Sequence, residues 1–182
     1  MIYFIADTHF GHRSILYTCR RPFADVTEMD EAMIAAWNDR VRESDTVYIL
    51  GDMFYRCREP EPILRRLRGK KRLILGNHDP SWTGAVPMDR YFASVNEYLV
   101  LSDGRRELTL CHYPLLTWKH ETRSYLIHGH IHNRTDLDFW PLLRDRERVL
   151  TAGADVNGYR PVSFEELVEN NRRFKEEHPG IS

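Results

Sequence analysis

Three histidines, His128, His130 and His132, fall within five residues of the segment LIHGHIHN. Every imidazole brings a donor and an acceptor that must be satisfied, so packing alone is a poor reason to crowd them. Similar chemistry recurs elsewhere in the chain: Asp7 and His9 in FIADTH, Asp52 in YILGD, Asn77, His78 and Asp79 in LILGNHD, and His112 in TLCHY. Counting His12, three residues beyond His9, seven of the nine histidines belong to these clusters, His120 and His178 standing apart, which favours one shared site over seven separate packing roles. Imidazole nitrogen mixed with Asp and Asn oxygen suits Mn²⁺, Fe²⁺ or Zn²⁺, whereas Ca²⁺ and Mg²⁺ favour oxygen alone. There are too many ligands for one ion. Two ions about 3.5–4 Å apart and sharing a carboxylate would use them all.

Such groups must be brought together by the elements they follow. IYFIADTH, TVYILGD, RLILGNHD, LTLCHYP and YLIHGHIH are each a short apolar run ending in a polar cluster, and VLTAGAD repeats the form without histidine. The runs have the length and β-branched or aromatic content of buried strands. Helical spacing from Thr27 to Val41, with Thr27 as cap, predicts one helix. Pro62 to Arg68 predicts a short one closed by Gly69. SFEE at Ser163–Glu166 is a capping box for a third helix reaching about Glu177. Strands that are continuously apolar and alternate with helices imply a layered α/β domain with sheets covered on both faces. In such sheets ligand sites form at the carboxyl ends of the strands, where all the clusters lie. LTLCHY, YLIHG and VLTAG leave little room for crossover helices, so antiparallel pairing is expected there. Residues 80–95 and 133–147 carry no clear pattern.

Composition narrows the class. The 182 residues suit one domain, 1–182, with no linker or repeat to divide it. A net charge of −1 gives no global attraction to nucleic acid or membranes. The apolar runs are too short to cross a bilayer. The first residues lack the basic lead-in of a signal peptide. Cys19, Cys57 and Cys111 make neither a disulfide framework nor a paired metal motif, and a reducing cytoplasm is the expected setting.

In their order along the chain, Asp7-x-His9, Gly51-Asp52, Gly76-Asn77-His78-Asp79, His112 and Gly129-His130-x-His132 resemble the calcineurin-like metallophosphoesterases. DTHFGH and NGYRPVSFEEL further resemble small bacterial and phage members of that family. The resemblance implies a two-layered mixed β-sandwich flanked by helices, with a dinuclear centre. Asp7, His9, Asp52 and His132 would hold the first metal, and Asp52 would bridge to a second completed by Asn77, His112 and His130. Manganese is the favoured metal, with iron or zinc as alternatives. A hydroxide held between two such ions would attack phosphorus in line, and the centre would keep a net charge of about +1 to draw in a phosphate anion. His78 is then the expected general acid, with Asp79 orienting its ring. His128 falls outside the pattern and is expected to serve structure or support.

His12 and Arg134 are weaker candidates for substrate contact, each balanced by an ordinary structural or solvent-exposed role. Arg20 and Arg160 could grip phosphate, and Tyr113, Trp118 or Trp82 could stack on a base, although such residues usually serve surface or core. The run RRLRGKKR, Arg65–Arg72, has six cations in eight residues. At a helix C-terminus these are better read as a solvated face than as a polyanion site. The expected partner is a small phosphate ester, including a nucleotide, with diesters favoured, nucleic acid less so and a membrane not at all. A helical HD-type phosphohydrolase does not suit a His-Asp pair that follows a strand. A non-catalytic scaffold for protein binding would be marked by missing ligands, and none is missing.

Overall fold

The computed structural model describes residues 1–179. The first half of the chain runs β1 (Ile2–Ile5), α1 (Ile15–Thr18), α2 (Val26–Arg40), β2 (Thr46–Ile49), α3 (Glu61–Leu64), β3 (Lys70–Ile74), α4 (Pro80–Thr83), α5 (Met88–Tyr91) and β4 (Phe92–Asn96). It continues through β5 (Tyr98–Ser102), β6 (Glu107–Cys111), β7 (Tyr125–His128), α6 (Trp140–Arg144), β8 (Val149–Thr151) and α7 (Phe164–Glu177). One sheet has the order β1-β2-β3-β4 and is parallel throughout. The other has the order β5-β6-β7-β8, with β5 antiparallel to β6 and the remaining pairs parallel.

The period-two alternation of strand side chains explains why these strands are apolar along their whole length. Phe4, Tyr48, Leu50 and Ile74 of the first sheet meet Leu108, Leu110, Ile127 and Leu150 of the second, forming the sandwich interior. Tyr3, Ile5, Val47, Ile49 and Leu73 point the other way, onto Met29, Met33 and Trp37 of α2. Cys111, Leu126 and Val149 are the corresponding outward set of the second sheet, covered by Trp140, Leu143 and Phe174. The mixed β-sandwich flanked by helices is therefore present, built so that each sheet buries two faces.

Several local expectations need revision. Helix α2 is capped by Asp25 rather than Thr27: its carboxylate accepts from the Glu28 N–H at 2.9 Å, and Glu28 reaches back to the Ala24 N–H. The helix predicted over Pro62–Arg68 is shorter, and the end of the basic run opens β3. That run is internally satisfied. Arg65 pairs with Glu61, Arg66 with Glu31, and the buried Lys71 amine donates to the Leu67 carbonyl at 2.7 Å.

The antiparallel pairing expected among LTLCHY, YLIHG and VLTAG is not found. Those strands are mutually parallel, because residues 112–124 cross over in turns without a helix, about the dozen residues that a parallel connection needs. The antiparallel pair is β5 with β6, and β5 follows β4 after the single residue Glu97.

An isolated parallel bridge, Ala6 to Gly153, joins the end of β1 to the end of β8. It aligns the two parallel sets, so the carboxyl ends of β1, β2, β3, β6, β7 and β8 share one rim. Helix α7 secures β8 from outside. It starts at the expected Ser163–Glu166 capping box, and Asn171 lies buried against the strand. The Asn171 Oδ1 accepts from the Thr151 N–H at 2.7 Å, and its Nδ2 donates to the carbonyls of Thr151 and Leu167. Replacing Asn171 by Leu keeps the volume but orphans the buried Thr151 N–H, so stability should fall by about 1–3 kcal/mol. The reading is a lower urea midpoint at unchanged slope, and an unmoved midpoint would show that this bond carries no weight.

Candidate metal centre

Each candidate ligand stands just beyond a strand end, where the chain must turn sharply. Asp7 (φ 55°), His9 (φ 51°), Asp52 (φ 51°), His130 (φ 73°) and His132 (φ 53°) all adopt left-handed backbone. Asp and His tolerate that region better than most residues, yet each is strained there and must be held by its surroundings. The holding bonds are present. Asp7 N–H donates to Gly51 O and His9 N–H to Asp52 O, both at 3.0 Å, while the Asp7 carboxylate accepts from the His130 N–H at 3.0 Å. Beneath them, Gly51 (φ 86°) and Gly76 pack backbone against backbone. A Cβ on Gly51 would lie 2.8 Å from the Gly76 Cα, and one on Gly76 would lie 2.7 Å from the Asp52 nitrogen. Only glycine lets the β2 and β3 ends approach so closely.

The expected ligands form two groups with atoms within 4.8 Å of one another, Asp7, His9 and His132, and Asp52, His112 and His130; among the described residues Cys19 and Asp155 make a third such group with His132. Asp52 stands between the first two. Its Oδ2 is 3.7 Å from His9 Nε2, 3.5 Å from His112 Nε2 and 3.9 Å from His78 Nε2. Asn77 completes the second group, its Oδ1 lying 3.1 Å from His112 Nε2 and 2.9 Å from His130 Nδ1.

Outer hydrogen bonds set which ring nitrogen faces inward. His112 Nδ1 lies 2.7 Å from the Leu50 carbonyl and His132 Nδ1 lies 2.9 Å from the Asp155 carboxylate, acceptors that require an N–H. His9 Nδ1 meets His12 Nδ1 at 3.1 Å, and His12 Nε2 meets the Ser14 hydroxyl at 2.8 Å. A metal-ligating histidine is generally oriented in this way, through its other nitrogen. His9 Nε2 is left fully buried without a hydrogen-bond partner. A buried polar atom with nothing to bind is costly, and a cation in the group is what would satisfy it. The donor set fits a divalent metal.

Electrostatics fit the same conclusion. Burial pushes the Asp7 carboxyl up. Burial also opposes ionisation of Asp52, but the His112 hydrogen bond and charge outweigh it and hold the carboxyl at about 2. Burial and the neighbouring His132 press His9 down to about 2, leaving it neutral with its lone pair available. His112 and His132 go the other way. Burial disfavours their charge, yet Asp52 and Asp7 on one side and Asp7 and Asp155 on the other raise them to about 9 and about 11. Without a cation these rings balance the carboxylates with protons, which an entering metal would displace.

The other expected site residues divide. His78 stands at the edge of the cluster, half-exposed, its main-chain N–H donating to Asp52 Oδ1 at 2.8 Å. Asp79 does not orient the His78 ring. Its buried carboxylate accepts from the N–H groups of Gly76 (2.7 Å), Asp52 and Met53 (3.0 Å each) and from Trp82 Nε1 (2.8 Å). The turn into α4 sends Asp79 inward as a brace for the loops after β2 and β3, while His78 is sent outward. The ring of His78 is packed instead by Tyr55, edge-on at 4.9 Å, and Tyr55 stacks on His12 at 3.8 Å. His12 is thus engaged with His9, Ser14 and Tyr55.

Arg134 is exposed and paired with Asp136. With Arg20 it lines a cavity beside Cys19 and Asn133. Arg160 lies near Glu166, Trp82 is core, and Trp118 donates to Ser124. Tyr113 is 43% exposed at the mouth, its ring 4.8 Å from that of His130. His128 is buried with Nδ1 against the Gly129 carbonyl, a packing histidine. Three residues were missed by the sequence reading, Asp155, Arg21 and Tyr55. Asp155 ends VLTAGAD as other clusters end their strands and was thus detectable; Arg21 had no such signal.

Comparison with known proteins agrees with this geometry. The family model of the calcineurin-like phosphoesterases matches residues 1–179. An uncharacterised protein of Methanocaldococcus jannaschii is 31% identical over 171 residues, covering 92% of this chain and 89% of its own. The gene 66 protein of Mycobacterium phage L5 is 28% identical, covering 96% of each chain. Among solved structures, a protein of unknown function from Aquifex aeolicus superposes with a TM-score of 0.73 at 26% identity, covering 93% of this chain and 98% of its own. Among the described residues no helix is long and apolar enough to cross a membrane. With the family's model matched from the first residue to the end of the described chain, and its motifs gathered at one rim, this protein belongs to the calcineurin-like phosphoesterase family.

Proposed function

We propose that the protein hydrolyses phosphate esters with two divalent cations and that phosphodiesters are its preferred substrates. The observation that carries this reading is the pair of ligand groups meeting at Asp52, with the buried His9 Nε2 left without a partner. Asp7, His9 and His132 would hold one cation and Asn77, His112 and His130 the other, with Asp52 common to both. Bound there, the cations would supply a water of lowered pKa and neutralise phosphoryl oxygens. The mixture of imidazole, carboxylate and amide donors favours Mn²⁺, with Fe²⁺ or Zn²⁺ next.

The chain's own contribution is orientation and proton delivery. Backbone bonds and the Gly51–Gly76 contact fix Asp52 and His112 before substrate arrives, so little is lost in arranging them. His78 is tethered to Asp52 through its main chain, while its ring stays open to solvent beside the cluster. A ring so placed can give a proton to the departing ester oxygen. Tyr55 on the His78 side and Tyr113 on the His130 side put aromatic surface on both flanks of the cluster. A diester has two ester groups to place against them, and a monoester has one. That supports the preference for diesters, nucleotides among them. The intact, oriented ligand set favours a catalyst over a binding scaffold.

Chelation should abolish hydrolysis of bis(p-nitrophenyl) phosphate, and Mn²⁺ should restore it better than Mg²⁺; the opposite order would overturn the metal preference. A panel of monoesters, linear diesters and cyclic nucleotides under Mn²⁺ should give the highest kcat/KM for a diester, and a monoester at the top would end that preference. His78→Ala should retain its cations yet slow an ester with a poor leaving group by about 10²–10⁴-fold, while an activated aryl ester slows far less. Equal slowing of both would remove the proton-donor role.

A further inference from the structure

Behind His132 lies an ion pair that the reaction scheme does not use. Arg21 and Asp155 both have fully buried side chains, the Arg21 Nε lying 2.9 Å from Asp155 Oδ1 and Nη2 lying 3.1 Å from Oδ2. The same Oδ2 accepts from His132 Nδ1 at 2.9 Å. Arg21 continues beyond the pair. Its Nη2 donates to the Asp7 carbonyl at 2.7 Å and its Nη1 to the Thr8 carbonyl at 2.8 Å. It reaches this position because Arg20 (φ 53°) turns the chain back after α1, and Asp155 does so because β8 ends at the bridge to β1. One guanidinium thereby ties the end of β1 to the end of β8, and through Asp155 to the loop after β7.

We infer that Asp155 and Arg21 are positioning residues for the cation held by Asp7, His9 and His132. The inference rests on the metal-binding part of the proposed function and is independent of the ester hydrolysed. Two physical effects combine. The Asp155 carboxylate fixes the proton of His132 on Nδ1, so that Nε2 turns its lone pair inward, and a carboxylate behind an imidazole strengthens it as a donor. Arg21 holds the carbonyls of Asp7 and Thr8, which keeps Asp7 and His9 in their strained left-handed turn. Both oxygens of Asp155 accept, Oδ1 from Arg21 and Oδ2 from Arg21 and His132, so an amide cannot replace the carboxylate. Whichever oxygen becomes NH₂ meets a donor, either Arg21 or His132.

Calorimetric titration with Mn²⁺ tests this without any substrate. Asp155→Asn should weaken the binding that depends on His132 by about 10–100-fold. If Asp155 acts through His132, Asp155→Asn combined with His132→Ala should bind no more weakly than His132→Ala alone. Asn171→Leu, which also perturbs β8 but away from the cluster, should keep wild-type affinity. A folded Asp155→Asn protein with wild-type affinity, or losses that multiply in the double variant, would overturn the inference. Should Asp155→Asn not fold, nitrogen-15 spectra of the Zn²⁺-loaded wild type decide. A proton on His132 Nδ1 supports the assignment, and one on Nε2 refutes it. Wild-type protein that binds no Mn²⁺ would overturn this together with the metal reading, whereas one that binds Mn²⁺ but cleaves no ester sinks only the proposed reaction.

Discussion

Asp7 and Asp52 place two buried carboxylates in one pocket, and most of what surrounds them answers to that arrangement. Burial alone would favour protonation of both, and their mutual repulsion adds to this for Asp7. Among the described residues the protein counters with N–H groups and imidazoles, not with lysine or arginine side chains thrust into the pocket. Asp7 accepts from the His130 main chain, and Asp52 accepts from the His78 main chain and stands beside His112. Such countercharges are weak enough to be exchanged. Protons on His112 and His132 can balance the carboxylates and would give way to an entering cation, whereas a fixed ammonium would block it. The nearby guanidinium of Arg21 is engaged by Asp155 and by two carbonyls.

The fold makes this concentration of charge affordable because it is rigid where the charges sit. Six parallel strand ends arrive at one rim, fastened across the sandwich by the Ala6–Gly153 bridge. The left-handed turns at five candidate ligands are the geometric counterpart, since a sharp reversal is what brings side chains on successive loops back over the strand ends. Strain of this sort persists only where the surroundings over-determine it. Asp79 does part of this work below Asp52, with four donors on one carboxylate, and Arg21 does part below Asp7. Residues that a motif would count as catalytic are here divided between those facing the cleft and those holding the floor.

The outer flank of the site is aromatic. His12, Tyr55 and His78 form one continuous stack and edge contact on one side, and His112, Tyr113 and His130 form another on the opposite side. These rings limit how far His78 and His130, the more exposed histidines of the cluster, can swing. Orientation by packing replaces orientation by a carboxylate for His78, which is a direct consequence of Asp79 turning inward.

By itself the sequence determined six of the eight strands, the capping box of α7 and most of the residues able to bind metal. Those properties are local: apolar runs of fixed length, a Ser three residues before a Glu, and Asp, Asn and His placed just beyond strand ends. Tertiary structure decided the pairing and the direction of side chains. Parallel pairing of β6, β7 and β8 depends on how residues 112–124 fold back, and β4 and β5, separated by one residue, had no turn signal to divide them. Adjacent residues such as His78 and Asp79 face opposite ways because of one turn, which no spacing rule can state. Arg21 and Asp155 are 134 positions apart and meet only when the two sheets close. Contacts of that range are set by the packing of whole layers, and so they become visible only in three dimensions.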